Sequence, residues 1–281
     1  MNGGGTADLA TADGHDRYVP SATRDILSAG HEGVYEWAAA NLVREGARFL
    51  DMGCGTGYGS ALVTAAGGTY DGADGSPAAI EYAQANFARP GVRFLVADLM
   101  EPLPAEFEPR SYDVVFSSEV IEHVDDPFAF VRTMADCVSD AGTCFVGTPN
   151  RFWSRDNMPG HALQALSHVM EFTPPALVAL LQTCFDDVTL MHRMFPLGAL
   201  PELVPAHRPP LVRGVLAFAR EVTPEGLVAR IRSRVGGARA GREWTPQDIL
   251  WLAPDDPGLD MSRAVGLAAV CRGPRRRDPG R

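Results

Sequence analysis

The chain has 281 residues, of which 46% are hydrophobic and 21% charged, and its formal charge is −10. This composition is typical of a globular protein and leaves room for one large α/β domain with a smaller lid. The acidic charge argues against a general binder of nucleic acids or anionic membranes. No stretch approaches the roughly 18 apolar residues of a membrane span, and the N-terminus does not resemble a signal peptide. The five scattered cysteines predict neither disulfides nor zinc, so we expect a cytoplasmic protein.

Strands and helices are predicted to alternate along most of the chain. Residues 1–14 predict a disordered N-terminus, and residues 15–45 an N-terminal lid with a helix over 22–45. The predicted strands are 48–52, 69–74, 92–98, 112–118, 143–149, 185–194 and 264–272, and the predicted helices are 56–66, 77–87, 127–138 and 173–184. Such alternation predicts a parallel sheet with helices on both faces.

A long insertion separates the last two predicted strands. The core is predicted to span residues 46–194, and residues 264–281 hold the final strand and a solvated tail. Between them, residues 195–263 are rich in Pro and Arg and contain amphipathic pieces at 211–222 and 224–235. Insertions of this length on a compact α/β core are often lids, so we expect this one to cover the substrate.

A glycine-rich turn follows the first predicted strand in "FLDMGCGTGYGS". Glycine permits positive φ angles and lets a ligand approach the backbone closely, and the following helix offers free N–H groups to an anionic ligand. Taken alone, this loop is also compatible with a dinucleotide. Asp74 ends the second strand, 23 residues after Asp51, where a carboxylate can accept hydrogen bonds from a ribose diol. Asp98 ends the third strand and could accept a hydrogen bond from an adenine amino group, while Asp51 could order the loop or meet an ammonium group.

These motifs resemble the class I S-adenosylmethionine-dependent methyltransferases, whose loop reads Asp-x-Gly-x-Gly-x-Gly. Here the loop is Asp51-Met52-Gly53-Cys54-Gly55-Thr56-Gly57, and "GADGSPAAIEYAQANF" and "YDVVFSSEVIEHVDDP" continue the resemblance over about residues 15–194 and the last strand. It implies an α/β, Rossmann-like, seven-stranded sheet with the last strand antiparallel, and S-adenosylmethionine as cofactor. The cofactor contacts it implies are Asp51, Gly53, Cys54, Gly55, Gly57, Asp74, Gly75, Ser76, Asp98, Leu99, Ser118 and Glu119.

Two carboxylates and an imidazole follow the fourth predicted strand in "SSEVIEHVDDP". If a helical turn begins near Glu119, then Glu119, Glu122 and His123 share one face at i, i+3 and i+4. These groups could hold a divalent ion, with His168 as the fourth ligand. The acids could instead favour a helix N-terminus, leaving His123 or His168 as a general base.

The acidic motif resembles two methyltransferase subgroups. Ubiquinone-pathway O-methyltransferases carry Glu-x-x-Glu-His here, and small-RNA 2′-O-methyltransferases add a histidine before Glu-aromatic-Thr, as in His168-Val-Met-Glu171-Phe172-Thr173. The resemblance implies Mg²⁺ held by Glu119, Glu122, His123 and His168.

We therefore expect methyl transfer to a small molecule, most simply O-methylation of a sugar or natural-product-like acceptor with metal assistance. The alternatives are N-methylation of an amino sugar or amine by a histidine base, and a non-catalytic cofactor-binding protein. RNA methylation is disfavoured by the acidic charge. We expect no membrane partner and leave a homodimer open.

Overall fold

The protein is described by a computed structural model over residues 26–157, 168–196, 245–261 and 263–276. Several predictions lie outside these residues: the disordered N-terminus, the first part of the N-terminal lid, both amphipathic pieces of the insertion and the end of the tail. None of the described helices is both long and apolar enough to cross a membrane.

The described residues form six helices, eight strands and a short 3-10 helix, Pro246–Asp248. The helices are α1 Ile26–Leu42, α2 Ser60–Ala65, α3 Pro77–Phe87, α4 Pro127–Cys137, α5 Arg151–Asn157 and α6 Pro174–Leu181. The strands are β1 Arg48–Met52, β2 Thr69–Asp74, β3 Val92–Val96, β4 Tyr112–Ser118, β5 Val138–Pro149, β6 Phe185–Met194, β7 Leu250–Leu252 and β8 Ala264–Pro274.

The strands form one sheet in the order β3-β2-β1-β4-β5-β8-β6-β7. Strands β1 to β5 are parallel, whereas β8 runs antiparallel to both β5 and β6. The predicted Rossmann-like α/β fold with an antiparallel last strand is confirmed. The described sheet has one strand more than predicted, because Leu250–Leu252 lies in the predicted insertion and pairs with β6. A three-residue strand carries too short an alternation to be recognised in the sequence.

Local signals place most helix ends as predicted. Ser76 caps α3, where its side chain accepts a hydrogen bond from the Ala79 amide at 3.3 Å, and Pro77 occupies the first turn. Helix α2 begins at Ser60 instead of the predicted residue 56, because the glycine-rich turn continues through Gly57, whose φ is +79°. Asp126 caps α4 through two backbone amides at 3.0 Å, which leaves the chain between β4 and α4 as a loop.

The core lies on both faces of the sheet because successive residues of each buried strand point to opposite sides. On one face, Phe116 packs between Phe49 and Phe145, with ring centroids 5.5 and 5.0 Å apart. On the other face, Val115 and its neighbours pack against α4 and α6. Each buried phenylalanine contributes about 2–3 kcal/mol. This double-sided burial fixes the strands and so aligns the ends of β1 to β4 at one edge.

Candidate active site at the carboxyl edge of the sheet

A cavity of about 620 Å³ opens where β1, β2, β3 and β4 end. A position beyond the carboxyl ends of parallel strands is where open α/β sheets bind ligands. All of the predicted cofactor contacts line it except Asp51 and Gly57: Gly53, Cys54, Gly55, Asp74, Gly75, Ser76, Asp98, Leu99, Ser118 and Glu119. The sheet therefore brings four sequence-distant segments into one cavity wall.

The glycine loop borders the cavity closely. A Cβ atom at Gly53, whose φ is +90°, would overlap the side chain of Val120 in the loop after β4. Gly57 has a different role, because a Cβ there would lie 2.6 Å from the Phe94 ring and 2.8 Å from Ala83. Gly57 thus allows the loop to pack against β3 and α3. It is not one of the described residues that line the cavity.

Asp74 ties the end of β2 to the glycine loop. One carboxylate oxygen accepts a hydrogen bond from the Gly55 amide and the other from the Ser76 amide, each at 2.9 Å. Both contacts hold a charged side chain in a nearly buried position on the cavity wall. Asp98 lies two residues beyond the end of β3 and accepts a hydrogen bond from the Met100 amide at 3.0 Å.

Asp51 lies behind the loop and is fully buried. One of its oxygens accepts hydrogen bonds from the hydroxyls of Tyr35 at 2.7 Å and Tyr70 at 2.5 Å. Its other oxygen has no hydrogen-bond partner among the described residues. Burial raises the pKa of Asp51 to about 7, although the two tyrosine hydroxyls oppose the shift. Asp51 therefore joins the end of β1 to α1 and β2 through these two tyrosines, and its two predicted roles stay predictions.

Two lining residues from α1 were not singled out from the sequence. His31 and Tyr35 are one helical turn apart and both line the cavity. Tyr35 also contacts Asp51, so it connects α1 to the loop. The i, i+4 spacing of the two side chains was the available signal, but it does not distinguish a cavity wall from ordinary packing.

The loop after β4 is not the predicted helical turn. Glu119 adopts a left-handed φ of +58°, and its amide donates to the Gly147 carbonyl at 2.9 Å. A separate turn follows, closed by a 2.9 Å hydrogen bond from the His123 amide to the Val120 carbonyl. The prediction that Glu119 shares a helical face with Glu122 and His123 is wrong, because tertiary contacts turn the backbone at Glu119.

Glu122, His123 and His168 nevertheless lie together, with possible ligand atoms all within 4.8 Å of one another. The amides of Val169 and Met170 donate to the Glu122 carbonyl, at 2.8 and 3.1 Å. These bonds hold the His168 segment beside the turn after β4. Two imidazoles and a carboxylate are donors suited to a borderline divalent ion.

The carboxylate of Glu122 is in an unusual environment for an acid. Its side chain is only 1% exposed, and one oxygen accepts a hydrogen bond from the Thr148 hydroxyl at 2.9 Å. The other oxygen has no hydrogen-bond partner among the described residues and lies 4.0 Å from Nε2 of His123. Burial and the nearby Glu119 raise the pKa of Glu122 well above its usual value. A cation at this position would compensate the buried charge.

His168 is oriented by a second acid. Its Nδ1 lies 3.1 Å from a carboxylate oxygen of Glu171, and its ring centroid lies 4.9 Å from that of His123. If Nδ1 carries the proton donated to Glu171, Nε2 is the nitrogen available as a ligand or base. His123 lines the cavity, whereas His168 is not among its described lining residues.

Glu119 is not part of the three-residue group but pairs with Arg193. The Arg193 Nη2 atom donates to a Glu119 oxygen at 3.0 Å. Arg193 belongs to β6, and its guanidinium packs directly over Gly266 of β8, where a Cβ would lie 2.8 Å from Nε. Sequence reasoning missed Arg193, because a partner 74 positions away leaves no local pattern.

Comparison with known proteins agrees with this geometry. Residues 50–146 match the family described as a methyltransferase domain. A ubiquinone biosynthesis O-methyltransferase of Xanthomonas campestris is 34% identical over 117 residues, covering 41% of this chain and 48% of the relative. The corresponding enzyme of Ralstonia nicotianae is 34% identical over 116 residues, covering 41% and 49%. The chain thus spans about half the length of the curated relatives it matches.

Solved structures extend the comparison over most of the described fold. A chain of the Haloferax volcanii complex that contains the Trm112 methyltransferase activator has a TM-score of 0.58 at 19% identity, covering 89% of this chain and 92% of that chain. Phosphoethanolamine N-methyltransferase 2 of Haemonchus contortus has a TM-score of 0.52 at 16% identity, covering 86% and 52%. Residues 50–146 thus match a methyltransferase domain, and the described fold is similar to the α/β fold of solved methyltransferases.

Proposed function

We propose that the protein transfers the methyl group of S-adenosylmethionine to a hydroxyl of a small molecule, such as a sugar or a natural-product-like acceptor. The observation that carries this proposal is the position of His123, which lines the cavity and also belongs to the group with Glu122 and His168. A potential base or metal ligand thus stands at the β4 end of a cavity whose other end carries the cofactor-type residues. The O-methyltransferase names of the curated relatives support a hydroxyl acceptor.

The cofactor is proposed to lie along the ends of β3, β2, β1 and β4. Asp98 and Leu99 are placed to contact the adenine, and Asp74 to accept from the ribose hydroxyls. The loop Gly53–Gly55 would face the methionine part, with Ser118 and Glu119 on the methyl-donor side. The parts of the cofactor would thus follow the order of the strands in the sheet. The methyl-donor side would then adjoin the group formed by Glu122, His123 and His168.

The reaction is a direct displacement at the methyl carbon. The acceptor oxygen forms a bond to that carbon, the carbon–sulfur bond breaks, and the sulfonium becomes the neutral thioether of S-adenosylhomocysteine. The acceptor proton passes to a base, for which we propose His123, the lining histidine at the β4 end of the cavity. The cavity mainly serves to hold the reactants in line.

A divalent ion is proposed to assist this step, held by Glu122, His123 and His168. The residues fit such an ion, because a buried Glu122 oxygen that has no hydrogen-bond partner in the described part of the chain lies 4.0 Å from Nε2 of His123. When bound, the ion would lower the pKa of a coordinated hydroxyl and orient it. Glu119, predicted as a ligand, pairs with Arg193 instead, so we propose three protein ligands. The chain's own residues would supply orientation through Thr148 and Glu171.

N-methylation of an amine or amino sugar is the second candidate. The described residues that line the cavity include four carboxylates, Asp74, Asp98, Glu119 and Asp125, and no arginine. Such a wall also suits a positively charged acceptor. In this case His123 would act as the base without a metal.

Turnover with paired acceptors tests the proposal. The purified protein is incubated with S-adenosylmethionine and a panel of diols, catechols, amino sugars and amines, and formation of S-adenosylhomocysteine is measured with Mg²⁺ or with EDTA. We expect hydroxyl acceptors with a neighbouring oxygen to react, and EDTA to reduce their rate. Turnover of amines alone, insensitive to EDTA, would support the second candidate. A protein that binds the cofactor but turns over nothing in the panel would contradict the enzymatic proposal.

A further inference from the structure

The carboxylates of the cavity wall fall into two groups along the sheet edge. Asp74 and Asp98 lie at the ends of β2 and β3, where the ribose and adenine are proposed to bind. Glu119 and Asp125 lie in the segment after β4, at the opposite end of the cavity. The second group has no assigned role in cofactor binding beyond Glu119's place on the donor side. The negative charges of Glu119 and Asp125 therefore act on the acceptor that binds at this end of the cavity.

Arg193 supports Glu119 from behind the wall. Its side chain is only 10% exposed and its Nε atom has no hydrogen-bond partner among the described residues. A charge buried this deeply needs compensation, and among the described residues Arg193 forms a 3.0 Å hydrogen bond to Glu119. Gly266 makes room for the guanidinium at this point of the sheet. The ion pair is thus built from two strands and a loop that are far apart in sequence.

Glu119 also adopts a conformation that costs energy. A non-glycine residue with a φ of +58° is uncommon, and such strain persists where surrounding contacts hold it. Here the Gly147 carbonyl holds its amide and Arg193 holds its carboxylate. The side chain remains 24% exposed, so a partly free carboxylate is kept at the cavity wall.

The neighbouring Glu122 is assigned to the divalent ion of the proposed function and does not itself line the cavity among the described residues. One of its oxygens is buried and has no hydrogen-bond partner in the part of the chain that the structure describes. Arg193 interacts favourably with Glu122 as well, but it is already paired with Glu119. At this end of the cavity the described lining residues include two carboxylates, Glu119 and Asp125, and no arginine.

We infer that Glu119, positioned by Arg193, is a specificity-determining residue that selects acceptors carrying a protonated amine near the methylated hydroxyl. This inference rests on the proposed function and adds the charge class of the acceptor to it. Glu119 contacts the acceptor in this account, and Arg193 acts through Glu119 as a positioning residue. An anionic acceptor is disfavoured, because it would meet two carboxylates and no arginine among the described lining residues.

The two members of the ion pair have opposite effects on this selection. Replacing Glu119 removes a negative charge from the wall and leaves the guanidinium of Arg193 without its carboxylate. Replacing Arg193 leaves the carboxylate of Glu119 without its counter-charge. The first change weakens the preference for a cation and the second strengthens it. A merely structural role would lower activity toward all acceptors in both variants.

A series of catechols that share the reacting diol but differ in charge tests the inference. Catechol is neutral, 3,4-dihydroxybenzylamine is cationic and 3,4-dihydroxybenzoate is anionic, while the reacting diol is the same. The kcat/KM of each is measured at fixed Mg²⁺ with saturating S-adenosylmethionine. We expect the wild-type protein to prefer the cation to the anion by about tenfold or more, the effect of one charge in a partly solvated site. Glu119→Gln should lower this ratio about fivefold or more, and Arg193→Met should raise it.

Controls separate the inference from folding and from the proposed function. Arg193→Lys should keep the wild-type ratio, and so should Arg272→Met, which removes an exposed arginine of β8 that pairs with Asp187 at 3.7 Å. The affinity for S-adenosylhomocysteine reports whether each variant still forms the cofactor end. Equal kcat/KM for the cation and the anion, or a ratio unchanged in Glu119→Gln, would overturn the inference while leaving methyl transfer intact. Failure of all three catechols, with cofactor bound, would count against the proposed hydroxyl chemistry itself.

Discussion

The two ends of the cavity are built in different ways. At the cofactor end, the hydrogen bonds of Asp74 join residues close in sequence: it accepts from the amides of Ser76, two residues on, and of Gly55, 19 residues back. At the acceptor end, Glu119 meets Arg193 across 74 residues, and Glu122 meets Thr148 across 26. One end depends on a strand–loop–helix unit, whereas the other depends on how distant strands pack. Damage to one end should therefore leave the other largely intact.

The largest effect is expected at Asp74. In Asp74→Ala, the Gly55 and Ser76 amides lose a charged acceptor, and hydrogen bonds of this kind contribute about 1.5–3 kcal/mol each. We expect the affinity for S-adenosylhomocysteine to fall about a thousandfold in calorimetric titrations. Asp71→Asn is a matched control, because Asp71 also lies on β2 but pairs with Arg93 outside the cavity. If Asp71→Asn weakened binding as much as Asp74→Ala, the effect would reflect the stability of β2.

A smaller effect, confined to the acceptor end, is expected for Glu122→Gln. The substitution keeps the shape and the contact with Thr148 but removes the carboxyl group that would hold the ion. We expect turnover to fall about a hundredfold, as it does when a metal ligand or a residue that orients one is lost. The affinity for S-adenosylhomocysteine should change by less than about threefold. Wild-type activity in the variant, insensitive to EDTA, would remove the metal from the proposed function. Equal losses of cofactor affinity and turnover would show that the two ends are not independent.

The smallest effect is a pH dependence of the free energy of unfolding that comes from Asp51, behind the glycine loop. Because burial raises the pKa of Asp51 from 3.8 to about 7, the folded protein keeps a proton that the unfolded chain has already lost. The associated stability is complete below about pH 4 and is lost as the pH rises through 7. Between pH 6 and 8 the free energy of unfolding should fall by about 1.4 kcal/mol from this group alone. Denaturant titrations should show that Asp51→Asn removes this part of the slope; an identical slope in both proteins would place the pKa of Asp51 elsewhere.

Contacts between residues close in sequence could be predicted from the sequence, whereas contacts between distant residues could not. The glycine loop, the Ser76 cap and Asp74 were predicted because each depends on residue types at short, fixed spacings. The prediction of a helical turn at Glu119 was wrong because its amide bonds to Gly147 of β5 and its side chain to Arg193 of β6, and neither partner is near in sequence. For the same reason Arg193 could not be found.

The grouping of His168 with Glu122 and His123 shows an intermediate case. The sequence proposed His168 through a resemblance, and the structure brings its ring 4.9 Å from that of His123. Its metal ligation stays a prediction. The strand β7 was missed for a simpler reason, since three residues show no usable alternation.

The most direct test of the account is a calorimetric titration of the wild-type protein with S-adenosylhomocysteine and, separately, with NAD. Both ligands are compatible with a glycine loop alone, but the carboxylates at the ends of β2 and β3 and the cavity at the end of β4 favour the first. We predict saturable binding of S-adenosylhomocysteine at a single site and no binding of NAD. Binding of NAD, or no heat with S-adenosylhomocysteine, would contradict the assignment of this cavity as a methyl-donor site.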